Sequence, residues 1–212
     1  MNDQFFKELR EKVKPYFEKV GGHEFDHVHR VFNNAITISK GEDVDLDVVK
    51  AAALLHDIAR SKDDNNEVEC HAKEGAKMAR EILEDMGFPK DKIENVCHAI
   101  EVHRYSKGLK PKTKEAEIIQ DADRLDALGA LVVVRVISRA VSKGYPVYDP
   151  DILPKKVYDG SDGTAINHFL EKILKLTPDQ FHTKKAREIA KGRYAFVEQF
   201  VDRFIKEWEG EL

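Results

Sequence analysis

Apolar residues recur at helical spacing along most of this chain. Near the N-terminus they mark one helix face and are followed by Gly21 and Gly22; the face comprises Phe6, Leu9, Val13, Phe17 and Val20. Residues three or four positions apart share one side of an α-helix. The pattern therefore predicts an amphipathic N-terminal helix that stops at the two glycines.

The same spacing predicts a series of further helices. They cover residues 26–39, 48–58, 72–86, 89–103, 115–142, 164–176 and 178–209. Asp26 and Asp45 are suitable N-caps, and residues 177–180 have the form of a capping box. Prolines and glycines interrupt residues 144–163, which we expect to be irregular. Because no segment alternates with the period of a strand, we predict an all-α protein.

The composition narrows the classes of function. Of the 212 residues, 35% are charged and 42% are hydrophobic, and the net charge is −4. A chain of this length can bury a core without disulfides. The absence of a basic excess argues against a nucleic-acid partner. No apolar run approaches the roughly 20 residues of a membrane span, and the acidic N-terminus is unlike a signal peptide, so we expect a cytoplasmic protein without a membrane partner.

Candidate chemistry begins with the doublet His56-Asp57, which follows the apolar run at residues 51–55. Neighbouring side chains on a helix do not face each other, and buried polar groups need partners. Two further candidates, His27 and Asp123, lie on other predicted helices. Two imidazoles and two carboxylates suit Mn²⁺, Fe²⁺, Co²⁺ or Mg²⁺. The ordered set therefore predicts a divalent cation inside a helical bundle.

A second pattern overlaps the first of these ligands. His23, Glu24 and His27 match the H-E-x-x-H motif of zinc peptidases. That chemistry requires both histidines on one face of an established helix. Since Gly21 and Gly22 come immediately before the motif, residues 23–27 are at most the start of a helix. We therefore do not favour a peptidase.

The motifs around the doublet resemble those of the HD-domain superfamily of metal-dependent phosphohydrolases. They are Leu55-His56-Asp57-Ile58, His27 with Arg30-Val31, and Ala122-Asp123-Arg124-Leu125. The resemblance covers residues 20–140 and implies one HD-type helical domain over residues 1–212, with a helical extension from about residue 141. It implies that His27, His56, Asp57 and Asp123 hold one divalent ion (Mn, Mg, Fe, Co or Ni, with Mn favoured).

Residues 162–169 and 208–211 resemble a small stand-alone branch of the superfamily that is associated with nucleotide pyrophosphohydrolysis. The resemblance implies hydrolysis of a nucleoside or deoxynucleoside triphosphate to monophosphate and pyrophosphate. Alternatives are a nucleotide 5′-monophosphatase, a phosphodiesterase, a dinuclear oxygenase and a non-enzymatic nucleotide sensor. A catalytic glutamate that some relatives carry three residues after the doublet is replaced by Arg60 here.

Other polar residues are candidates for the substrate or for a second ion. Some HD proteins use two further histidines for a second metal, and His71 and His103 stand where these would come, although substrate contact is the preferred role. We expect the substrate to be a small phosphate compound, a nucleotide. The side chains expected to contact it are cationic or imidazole groups, namely Arg30, Arg60, Lys62, His71, His103, His168 and Lys172. Asp57 or Asp121 would orient the attacking water. An aromatic stripe near the C-terminus at Phe196, Phe200, Phe204 and Trp208 suggests core packing or a homodimer contact.

Overall fold

A computed structural model of the chain describes residues 1–17, 25–104, 108–161 and 163–212, and in these ranges it contains helices and no strands. The all-α prediction is therefore confirmed. The chain divides into two compact units, Met1–Asp123 and Arg124–Leu212. The description of residues 1–212 as a single domain stays a prediction. No helix in the described ranges is long and apolar enough to span a bilayer.

The first unit is built from short helices around a central apolar one. In chain order they are α1 (Asp3–Val13), α2 (Phe25–Ile38), α3 (Leu46–Leu55), α4 (Arg60–Asp64), α5 (His71–Asp85), α6 (Lys90–Val102) and most of α7 (Lys114–Asp126). Helix α3 packs against α1, α2 and α6, and α5 packs against α6. Since α3 is buried on nearly all sides, it forms the core of this unit.

Helix α3 begins as the sequence predicts and ends earlier than expected. The Asp45 side chain accepts hydrogen bonds from the backbone N–H groups of Asp47 and Val48. The helix stops at Leu55, and His56 and Asp57 lie in the turn that follows. The prediction that the doublet lies within the helix is wrong. The turn releases both side chains from the helical arrangement and lets them face the same centre.

Two other local predictions for the first unit need correction. Residues 61–66, expected to form a loop, include most of α4. Asp26, expected to precede the second helix as its cap, lies in the first turn of α2, where its charge favours the helix dipole. The peptidase-like residues His23 and Glu24 and the predicted end of the N-terminal helix at residues 20–22 lie outside the described residues.

The second unit contains α8 (Ala130–Ser142), α9 (Ala165–Glu171) and α10 (Lys184–Trp208), with short 3₁₀ turns at Ile173–Lys175 and Pro178–Gln180. Helix α10 begins six residues later than predicted, because Thr183 is its cap and Thr177 makes no capping hydrogen bond. No helix occurs in the described part of residues 144–163, as expected. The aromatic stripe of α10 packs partly inward, since Phe200 contacts the Phe169 ring at 5.8 Å between centroids, while Trp208 is half exposed. The homodimer stays a prediction.

The predicted helix over residues 115–142 is in fact two helices. Between α7 and α8, Gly129 has φ +90° and ψ −162°, a conformation that side chains strongly disfavour. A Cβ placed there would lie 3.1 Å from Cγ of Arg193. The backbone at Gly129 therefore separates the two helices, and this requirement is not visible in the hydrophobic period.

Replacing Gly129 by alanine is expected to lower the free energy of unfolding by about 1–3 kcal/mol, because the residue would adopt a strained backbone conformation. The matched control is Gly192→Ala within α10, where an added Cβ has open space around it. Alanine is the better helix former, so this control should raise stability by up to about 1 kcal/mol. Urea unfolding monitored by circular dichroism distinguishes the two, and equal effects would contradict the explanation of the helix break.

Candidate metal centre

Three side chains of the first unit form a buried group of potential metal ligands. His27 comes from α2, and His56 and Asp57 come from the turn after α3; one donor atom of each lies within 4.8 Å of the others. The two Nε2 atoms of His27 and His56 are 3.2 Å apart. Asp57 Oδ2 lies 3.8 Å from the first and 3.9 Å from the second. The structure thus brings together three of the four predicted ligands.

The fourth predicted ligand borders this group. Asp123, on α7, places Oδ1 3.4 Å from Nε2 of His27. Its side chain is 26% exposed, whereas those of His27, His56 and Asp57 are at most 8% exposed. Asp123 therefore marks the open edge of the centre. Its assignment as a metal ligand stays a prediction.

Two donor separations at His27 fit ligands of one ion, while Asp57 Oδ2, at 3.8 Å and 3.9 Å from the histidine nitrogens, is more distant. Two atoms that each lie about 2.1 Å from a metal, at tetrahedral or octahedral angles, are about 3.0–3.4 Å apart. The distances from His27 Nε2 to His56 Nε2 and to Asp123 Oδ1 agree with these values. The residues present therefore fit a divalent cation.

The hydrogen bonds of the outer ring nitrogens support the same conclusion. His56 Nδ1 donates to the carbonyl oxygen of Ala53 at 2.9 Å, and His103 Nδ1 donates to that of Ile100 at 2.6 Å. A neutral imidazole with its proton on Nδ1 presents a lone pair at Nε2. The His56 ring, which burial keeps neutral near pH 7, thus presents the lone pair of Nε2 at 3.2 Å from Nε2 of His27. Metal-binding histidines are oriented by hydrogen bonds of this kind.

A second group shares Asp57 with the first. His71 from α5 and His103 at the end of α6 place Nε2 at 3.1 Å and 3.3 Å from Asp57 Oδ1. These three side chains are buried and form a further set of potential ligands. The two carboxylate oxygens therefore face different pairs of histidines. His71 and His103, which the sequence suggests as candidate ligands of a second ion, therefore lie together beside Asp57.

The electrostatics of the centre keep the imidazole of His56 neutral and favour a positive charge beside the carboxylates. Burial lowers the pKa of His56 to about 4, so this ring is neutral near pH 7. Burial also acts to lower the pKa of His103, but its hydrogen bond with Asp57 and the charge of that residue raise it overall. For Asp123 burial is outweighed by the hydrogen bond and charge of His27, which lower its pKa. The carboxylates thus create a field that attracts a cation.

One residue near the centre was not predicted from sequence. Asp63 on α4 accepts a hydrogen bond at 2.5 Å from Nδ1 of His71, and Arg104 donates to the same oxygen at 3.3 Å. Its partial burial acts to raise its pKa, but the hydrogen bond from His71 and the neighbouring positive charges lower it overall. The only sequence signal was the acidic composition of residues 63–64, which we interpreted as part of a loop.

The remaining predicted residues of the first unit belong to neither group of potential ligands. Asp121 on α7 is fully buried. Arg30 lies one turn beyond His27 on α2 and is partly buried. Arg60 donates to Asp64 at 3.2 Å, and Lys62 donates to Glu74 at 3.0 Å. Their proposed roles with water or substrate stay predictions.

Two predicted substrate contacts belong to the second unit. His168 on α9 is buried, and its ring lies 5.5 Å from that of Tyr158 in an edge-on arrangement. Lys172 follows α9 and places Nζ 5.0 Å from the centroid of the same tyrosine ring. These three side chains form a local cluster within that unit, and the substrate role of His168 and Lys172 stays a prediction.

The chain is similar to known proteins over nearly its whole length. A family model described as the HD domain matches residues 25–128. YpgQ of Bacillus subtilis is 31% identical over 215 residues, which span 96% of this chain and 97% of the relative. The chain belongs to the HD-domain superfamily. Among solved structures, an HD-superfamily hydrolase from Bacillus thuringiensis has 35% identity and a TM-score of 0.78, with 97% of each chain covered.

The same relative, YpgQ, was crystallised with a nucleotide. The crystal structure of Bacillus subtilis YpgQ in complex with ADP has 29% identity to this chain and a TM-score of 0.73, and covers 96% of this chain and 95% of that one. The superfamily resemblance inferred from the motifs is confirmed, and the chain is a metal-dependent hydrolase.

Proposed function

We propose that this HD-domain hydrolase cleaves a nucleoside or deoxynucleoside triphosphate to a monophosphate and pyrophosphate. The observation that carries the proposal is the buried group of His27, His56 and Asp57, with Asp123 at its exposed edge. An ion held there would be reached by a substrate phosphate from the side of Asp123. The ADP complex of a relative supports a nucleotide as the substrate class.

The proposed cofactor is a divalent ion, with Mn²⁺ favoured, held by His27, His56, Asp57 and Asp123. Imidazole and carboxylate donors together suit borderline and hard cations. When bound, such an ion lowers the pKa of water towards neutrality and polarises a phosphoryl oxygen. The choice among Mn, Mg, Fe, Co and Ni depends on availability as well as on the donor set.

The protein's own side chains perform the remaining tasks. The carbonyl oxygen of Ala53 accepts a hydrogen bond from Nδ1 of neutral His56 and fixes the orientation of this ring. Arg30, one helical turn from His27, offers a guanidinium for a phosphate group. Asp57 or Asp121 orients the attacking water, and Arg60, Lys62, His168 and Lys172 contribute to substrate binding.

A second candidate function follows from the position of His71 and His103. Because both Nε2 atoms face Asp57 Oδ1, the centre has donors for two ions that share one carboxylate. A dinuclear centre is compatible with hydrolysis and also with oxygenase chemistry. Iron that copurifies in two equivalents, with O₂-dependent turnover, would favour the oxygenase; two redox-inactive ions would favour the hydrolase.

The proposed bond cleavage is tested by assaying Mn²⁺-loaded protein against a panel of ribo- and deoxyribonucleotides, with pyrophosphate and orthophosphate measured separately. We expect equal amounts of monophosphate and pyrophosphate from triphosphates. Release of orthophosphate alone would contradict pyrophosphohydrolysis and support a monophosphatase. Tight nucleotide binding without any product would support the sensor instead.

A further inference from the structure

Asp63 contacts both His71, a member of the second ligand group, and the guanidinium group of Arg104. Its Oδ2 atom accepts from Nδ1 of His71 at 2.5 Å and from Nη1 of Arg104 at 3.3 Å. The His71 side chain is 1% exposed. On the opposite side of that ring, Nε2 lies 3.1 Å from Asp57 Oδ1 but makes no hydrogen bond within the described ranges. The histidine therefore stands between two carboxylates.

The carboxylates of Asp63 and Asp57 favour the imidazole proton at different ring nitrogens, Nδ1 and Nε2. A carboxylate accepts hydrogen bonds and cannot donate them. With Asp63 bound at Nδ1, the single proton of a neutral ring is located there, and Nε2, 3.1 Å from Asp57 Oδ1, keeps a lone pair. Without Asp63, the proton would move to Nε2 and bond to Asp57 Oδ1, and both atoms would then be unavailable to a cation.

We propose that Asp63 is a positioning residue that holds His71 in the Nδ1–H tautomer and thereby enables Asp57, His71 and His103 to bind a cation. The inference rests on the proposed function in so far as that function includes a cation at this second group. Arg104 contributes a positive charge beside Asp63 and a second hydrogen bond to the Oδ2 atom that accepts from His71.

The structure provides a way to separate this role from simple packing. The Asp63 side chain is 22% exposed, so its truncation leaves no large internal cavity. Helices α4 and α5 are joined independently by the ion pair of Lys62 with Glu74. The neighbouring carboxylate Asp64 belongs to the same short helix and pairs with Arg60 instead of a histidine. Asp64→Ala is therefore a matched control for Asp63→Ala.

The test uses full-length, metal-stripped protein labelled with ¹⁵N in the histidine rings, and His71→Gln to assign the signals. Two-bond ¹H–¹⁵N spectra should show the Nδ1–H tautomer of His71 in the wild type, in Asp64→Ala and in Asp63→Asn, which retains an oxygen acceptor. Asp63→Ala should shift this ring towards the Nε2–H tautomer. If that variant does not fold, Asp63→Ser, whose hydroxyl is too short to reach the ring, takes its place with the same expectation.

Mn²⁺ titration of the same proteins provides the second readout. Asp63→Ala should weaken binding at one class of site by about 10–100-fold, the usual effect of removing a residue that orients a metal ligand. An unchanged tautomer and unchanged Mn²⁺ affinities in Asp63→Ala would overturn the inference. Because neither measurement involves a nucleotide, the inference can fail while nucleotide hydrolysis is demonstrated, and it can succeed while hydrolysis is absent.

Discussion

Replacing Asp57 by asparagine is expected to reduce kcat for hydrolysis by at least about 10³-fold and to weaken metal binding, since one carboxylate contributes to both ligand groups. Oδ2 faces His27 and His56, and Oδ1 faces His71 and His103. Asparagine retains the shape of the side chain but carries no charge. The change should therefore affect the chemistry much more than the packing.

Steady-state kinetics at saturating Mn²⁺, together with Mn²⁺ titration, measure this effect. Asp64→Asn is the control, because it removes a carboxylate seven residues later that pairs with Arg60 on the surface of α4. Its kcat should stay within about twofold of the wild type, as expected for a surface ion pair. An Asp57→Asn protein with wild-type activity would contradict the assignment of the centre.

Removal of the metal is expected to lower the melting temperature by about 5–10 °C relative to protein in excess Mn²⁺. An ion present at about 100 times its Kd stabilises the folded state by about 2.7 kcal/mol, and for a chain of this size each kcal/mol corresponds to about 2–4 °C. The physical reason is that His27, His56 and Asp57 come together only in the folded chain, so an ion that they hold stabilises the folded state alone.

Two histidine variants make this experiment specific. His56→Ala removes a ligand of the first group, and the Mn²⁺-dependent rise in melting temperature should become much smaller. His98→Ala removes a histidine whose Nε2 accepts from the backbone N–H of Lys112, away from both groups. The His98→Ala protein should melt at a lower temperature than the wild type, yet Mn²⁺ should raise its melting temperature by the same amount. An identical rise in all three proteins would show that Mn²⁺ binds elsewhere.

The sequence predicted the helical class and the main ligand cluster because both depend on local patterns. The 3.6-residue period identifies helices such as α2 and α5 without knowledge of their neighbours. The ordered polar residues His27, His56 and Asp57 stand out against apolar surroundings. The same local reasoning could not place the end of α3, since the doublet leaves the helix in order to meet partners from other elements.

Other features could not be predicted because they depend on tertiary contacts or on backbone conformation. Asp63 is an ordinary surface acid in the sequence, and only the fold brings it to His71. The break between α7 and α8 depends on a glycine in a conformation that an apolar pattern does not encode. The sequence indicated substrate contact or a second ion for His71 and His103; only the fold shows that both lie beside Asp57, and their role stays a prediction.

Whether the buried histidines around Asp57 hold a divalent cation is measured by elemental analysis of protein purified without chelators. We expect at least one divalent ion per chain in the wild type and in Asp64→Asn, and a large loss of this metal in His56→Ala and Asp57→Asn. Wild-type protein that contains no stoichiometric metal and gains none on incubation with Mn²⁺, or variants that retain the full content, would contradict this expectation.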